Sequence, residues 1–89
     1  MIFRVVVVGT SPQKIVAFNP RRTSLTIINN SFSTVYISRD PINVKETGYP
    51  LYPRDEVLLL QEEGDDPSAE LYAQCESTGC ELRIHEGVE

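Results

Sequence analysis

With 89 residues, 40% of them hydrophobic, the chain has the length of one small domain, read as a single unit over 1–89. No apolar run approaches the ~18 residues of a membrane helix, and the apolar content is too high and too well patterned for disorder, so both classes are excluded. Thirteen acidic side chains against eight basic ones give a formal net charge of −5, a balance that speaks against nucleic-acid binding.

Taken in chain order, β-branched and aromatic residues recur in short runs that turn residues punctuate. The first run covers 3–8 and stops at Gly9-Thr10-Ser11-Pro12. Arg4 interrupts it, so it reads as a strand rather than a signal peptide. The expectation is a protein made and kept in a cytoplasm, or assembled there into something larger. A second run covers 14–18 and ends at Asn19-Pro20. The third, 23–28, alternates, with Thr23, Leu25 and Ile27 on one side and Ser24, Thr26 and Ile28 on the other. Residues 29–33 turn the chain, and 34–38 form the next strand, with Val35 and Ile37 on one face. Residues 42–47 read as a weak strand or an extended loop.

Gly48, Pro50 and Pro53 then break the backbone ahead of a strong run at 56–61. Residues 62–67 form an acidic turn. The chain closes with runs at 70–75 and 80–85, read as a hairpin over Glu76-Ser77-Thr78-Gly79. Seven or eight short strands with turns every 8–12 residues predict an all-β fold. The expected architecture is a small antiparallel β-sandwich or barrel, jelly-roll or immunoglobulin-like, with no helix longer than about one turn. A domain this short buries only about 60–65% of its unfolded surface, so its core is thin and staples or self-association are expected.

Charge is unevenly spread. Residues 1–50 carry six basic and two acidic side chains, a net +4, and residues 51–89 carry two basic and eleven acidic, a net −9. Segregated halves would suit head-to-tail association. Strands from the two halves that interleave would erase the asymmetry.

Few residues carry chemistry. Cys75 and Cys80 flank four turn residues, a separation at which a disulfide and two reduced thiols are both open readings. A short loop would make the bond worth about 2 kcal/mol or less. Zinc needs four ligands, and only His85 could join the pair, so no metal is expected. His85 shares the polar side of its strand with Glu81 and Arg83, and no partner for general-base work is evident. The Glu62-Glu63 and Asp65-Asp66 pairs lack the EF-hand spacing and read as a solvated loop. No catalytic residue and no cofactor is assigned. Arg21 and Arg22 are candidates for contact with an acidic protein surface. Tyr49, Leu51 and Tyr52, on a proline-rigid segment, are candidates for packing on a neighbouring subunit, or else for covering the open end of their own sandwich. Phe3, Val5 and Val7 lie on a valine-rich strand that would aggregate if left bare, so it is expected to be paired, buried or added to a neighbour's sheet.

The centre of the chain has a cadence: Asn19-x-x-Arg22-x-x-Leu25-x-Ile27-x-Asn29, then Val35-Tyr36-Ile37, then Gly48-x-x-Leu51-x-Pro53 and a final pair of strands. Over residues 19–86 this resembles small structural proteins of tailed bacteriophages and related viruses. It departs from them after Pro53, where such turns often carry glycine and this chain has Arg54-Asp55, and the cysteine pair is not part of the pattern. The resemblance implies a β-sandwich virion component assembled in a host cytoplasm. Such a component would bind without chemistry, as a decoration or cement protein between capsid subunits or as a head–tail or tail accessory. The partners it implies are a major capsid protein or other virion proteins, with homo-oligomers, and neither nucleic acid nor membrane. The alternative reading is an intracellular β-domain that binds a small ligand or a host protein.

Overall fold

The computed structural model describes residues 2–61, 64 and 66–89. Among them are the strands β1 (Ile2–Val8), β2 (Gln13–Val16), β3 (Arg22–Asn29), β4 (Val35–Ser38), β5 (Tyr49–Leu51), β6 (Glu56–Leu60), β7 (Leu71–Cys75) and β8 (Cys80–Val88), with one helical turn, α1 (Val44–Thr47), between β4 and β5. They form two four-stranded sheets, ordered β1-β8-β3-β6 and β2-β7-β4-β5. Every neighbouring pair is antiparallel. The all-β sandwich expected from the turn spacing is therefore the observed fold.

Alternation sets the inner faces. Leu25 and Ile27 of β3, Val35 and Ile37 of β4, Leu71 and Ala73 of β7, and Leu82 and Ile84 of β8 are buried together, with Val57 and Leu59 of β6 packed against them. Val8, Ile15, Val16, Leu51, Cys75 and Cys80 complete this core, with Val6 also packed against it.

Two segments differ from the sequence reading. The chain does not close as a hairpin. β8 holds a seven-residue register with β1 on one side and another with β3 on the other, which leaves β7 no edge to join. Residues 76–79 instead arch from one sheet to the other, with Gly79 at φ +73° making the turn. Residues 44–47 form the helical turn α1 rather than a strand. Asp40 accepts the Ile42 and Asn43 backbone N–H groups ahead of it, and Val44 tucks beneath it fully buried.

The charged halves interleave. Late strands sit between early ones, β8 between β1 and β3 and β7 between β2 and β4. Four of the five described ion pairs, Arg4–Glu86, Lys14–Glu70, Arg22–Glu86 and Arg39–Asp66, join a base from residues 1–50 to an acid from 51–89. The opposite charges are used to close the sandwich on itself, so the head-to-tail pattern of segregated halves does not exist in the fold.

Candidate protein interface

The cadence that carries the family resemblance is an anchoring system. Asn19 accepts the Arg21 backbone N–H through Oδ1 at 3.0 Å. A register shift between Arg22 and Ser24 turns the Arg22 side chain inward ahead of Leu25. There it is 3% exposed. It donates to Glu86 Oε1 at 2.7 Å, to the Pro67 carbonyl at 3.0 Å and to the Ala17 carbonyl at 2.8 Å. Arg4 takes the other oxygen of Glu86 at 3.0 Å and the Ile15 carbonyl at 3.1 Å. One buried carboxylate thus gathers β1, β3 and β8, and the two guanidiniums tie them to β2 and to the loops at Ala17 and Pro67. At the far end of β3, the buried Asn29 amide donates to the Ser33 and Leu51 carbonyls at 2.8 and 2.9 Å. Arg22 is therefore no surface contact, because each of its three guanidinium nitrogens donates inside the fold. Leu51, 0% exposed, is core rather than interface, because it stands beside the inward Val35 of β4 on the inner face of the sheet. Arg21 remains exposed.

Phe18, Phe32 and Ile42 are exposed in loops, and the exposed apolar residues of the strands concentrate on two opposite flanks of the sandwich. On the first, β1 is an edge strand. Arg4 and Val6 turn partly inward and Val8 is buried. Phe3, Val5 and Val7 face out and are 67%, 61% and 60% exposed. The Phe3 ring meets the His85 imidazole edge-on, with centroids 4.6 Å apart. Arg83 and Glu81 stand opposite Val5 and Val7 on β8, and Arg83 donates to Glu81 at 3.1 Å.

The second flank lies between β5 and β6. Here the sheets part into an open groove of about 550 Å³, lined by Ile37, Val57, Leu59 and Leu71 with Thr47 and Tyr49 at its mouth. Tyr49 and Tyr52 are both exposed at this side. On the first flank Arg4 reaches the Ile15 carbonyl and Gln13 the Val7 carbonyl across the gap between the sheets.

The remaining polar groups serve local structure. Cys75 and Cys80 are joined by a disulfide with Cα atoms 6.4 Å apart, which staples β7 in one sheet to β8 in the other. The Ser68 hydroxyl holds Asp66 below its ordinary carboxylate range, and the Tyr72 hydroxyl does the same for Glu70. The Asn30 amide and then Arg83 lower Glu81. The Ile42 and Asn43 backbone N–H groups lower Asp40. The reciprocal effect of Glu70 raises Tyr72, and that of Glu76 raises Tyr36. Glu62, Glu63 and Asp65 of the acidic turn lie outside the described residues. Among the described residues no group of three or more His, Cys, Asp or Glu side chains is placed to hold a metal ion, and no helix is long and apolar enough to cross a membrane.

Sequence reasoning missed the Arg4–Glu86 contact and the groove. Arg4 sits at an even position of a strand whose odd positions are apolar, which marks it as pointing opposite to Phe3 and Val5. Its partner is 82 residues away, and no local pattern names it. Set beside protein families, characterised proteins and solved structures, the chain matches none of them.

Proposed function

We propose that this chain is an adhesive structural protein that works by binding and carries out no reaction, and that its setting is a virus particle, where it reinforces a shell between neighbouring subunits. The observation that carries this reading is the bare apolar stripe Phe3–Val5–Val7 on an edge strand whose outer side pairs with no other strand. Natural sheets cover such an edge, charge it or interrupt it with proline unless it is meant to be joined. The resemblance over residues 19–86 supplies the virion setting. A cement protein needs only a weak contact per copy, because many copies act on one shell.

The experiment is density-gradient fractionation of particles from a host that expresses the tagged chain, with quantitative mass spectrometry. The chain is expected to band with the particles at a fixed ratio to the shell protein. A chain found wholly in the unassembled fraction overturns the virion setting. A second reading, in which the protein binds a small apolar ligand, is favoured by the groove between β5 and β6, whose size falls within the range of small-molecule sites. Saturable binding of a solvatochromic dye, lost in Leu59→Glu, would support it.

A further inference from the structure

The four sheet edges are not treated alike. β5 has three residues with Pro50 at its centre. β2 has four residues, carries Lys14 and is interrupted by a register shift. β6 begins at Glu56 and leads into the acidic turn. These are the devices that keep a sheet edge from being joined: shortness, proline, charge and irregularity. β1 has none of them. It is seven residues long and regular in register, and its single charge, Arg4, is turned inward onto Glu86 and the Ile15 carbonyl.

The hydrogen-bond pattern shows which backbone groups are offered. The Glu81 carbonyl accepts the Asn30 N–H at 3.0 Å, on the β3 side of β8. Glu81 faces Val7 on the other side, so Val7 and Glu81 form a pair whose backbone groups point away from each other. The Val7 carbonyl accordingly accepts the Gln13 side-chain amide from outside the sheet. By the two-residue period, Phe3, Val5 and Val7 all direct their N–H and C=O groups to the open edge. These are the same three residues whose apolar side chains are exposed on the outer face.

We propose that β1 pairs antiparallel with β1 of a second copy across a two-fold axis at Val5, fusing two four-stranded sheets into one of eight strands. In this register Val5 opposes Val5 of the second copy and Phe3 opposes Val7. Every outward pair is then apolar, and the odd residues exchange six backbone hydrogen bonds, with the Gln13 amide yielding the Val7 carbonyl. Among the outward residues the pairing brings no like charges together, and on the inner face the two Arg4 residues become diagonal neighbours about 7–8 Å apart, each already paired with Glu86 of its own copy. The two Arg83 side chains lie three strand spacings apart, about 14 Å, beyond the ~8 Å screening length at physiological salt. At about one hydrogen bond per 100–200 Å², six bonds correspond to roughly 600–1,200 Å² of buried surface, at or below the low end of stable interfaces. The dimer is therefore weak in dilute solution and gains strength where copies are held close. This association of the chain with itself does not depend on the virion setting.

Sedimentation equilibrium of the intact chain from low micromolar to millimolar concentration tests it. The average mass is expected to rise from the monomer value of 10.0 kDa toward twice that. Val5→Lys and Val7→Lys are exposed substitutions that should hold the monomer value at every concentration while keeping the parent's circular dichroism. Leu58→Lys, at the opposite edge of the same sheet, should dimerise like the parent. Under mild oxidation Val5→Cys should cross-link to itself on a non-reducing gel. Phe3→Cys alone should not, and should cross-link only when mixed with Val7→Cys. A parent that stays monomeric at millimolar concentration overturns the proposal, and so does a dimer that survives in folded Val5→Lys and Val7→Lys. Equal self-cross-linking of Val5→Cys and Phe3→Cys overturns the register.

Discussion

Replacing Arg22 by methionine keeps the bulk of the side chain and removes all of its donors. In the parent, those donors satisfy Glu86 and the carbonyls of Pro67 and Ala17. Breaking a buried ion pair by deleting one partner costs about 3–5 kcal/mol, because the other charge stays buried. Arg4 still reaches Glu86 from the solvent side, which places the expected loss near the low end, about 3 kcal/mol. A chain of this size has a total stability of roughly 4–13 kcal/mol, so the variant should keep its fold with much of its margin gone. Urea titration followed by circular dichroism measures this, with the slope unchanged and the midpoint lowered. Adding Glu86→Leu should restore part of the loss, because the carboxylate that needed a partner is then gone. A single variant within about 1 kcal/mol of the parent, or a double variant as unstable as the sum of its parts, would refute the anchoring role.

Three further outcomes are expected. Reducing the Cys75–Cys80 bond removes a closed loop of sequence separation 5 worth about 2 kcal/mol, so a thermal melt with and without reductant should differ by roughly 8–16 °C; coincident curves would contradict the stapling role. Asp40, Asp66, Glu70 and Glu81 all titrate lower in the folded chain than unfolded, so the folded state binds fewer protons in acid. Their stabilisation is whole above the unfolded carboxylate range and is lost as pH falls through the folded values, and the urea midpoint should fall below about pH 4 rather than rise. Finally, Arg54 stands at φ +66°, a conformation costing a non-glycine residue roughly 1–2 kcal/mol, while its guanidinium donates to the Asn30 side-chain Oδ1 and lies 5.3 Å from the Phe32 ring centroid. Arg54→Gly should therefore be about 1 kcal/mol more stable than Arg54→Ala in urea titration, the reverse of their usual order.

The strand pattern was legible because period-two burial is a local property. The alternation at Leu25, Ile27, Val35 and Ile37 needed only neighbouring residues to be read, and these side chains are core. The positive φ of Arg54 was not read from the sequence, because a non-glycine residue carries no local mark of that conformation. What failed was long-range. Arg22 looked like part of a surface pair with Arg21 because both are cations after a turn. The register shift that turns it inward, and the carboxylate 64 residues away that receives it, have no local signature. Leu51 was grouped with Tyr49 and Tyr52, and alternation could not separate it from Tyr49, because both fall on one face of β5 opposite Val35 and Ile37; Leu51 meets the core while Tyr49 borders the open groove. The closing hairpin failed for a similar reason. Two strands joined by a short turn usually pair, and only the competing registers of β1 and β3 with β8 decide otherwise. The free edge of β1 is a property of strand order, so its exposure became visible only in three dimensions.

The claim that this protein acts by adhering to a shell is tested most directly by adding the purified chain to particles assembled without it and measuring bound copies and the temperature at which the particles release their contents. Saturable binding at a fixed number of copies per particle, a higher release temperature, and loss of both effects with Val5→Lys are the expected results. Binding that never saturates, or a release temperature unchanged at full occupancy, would contradict it.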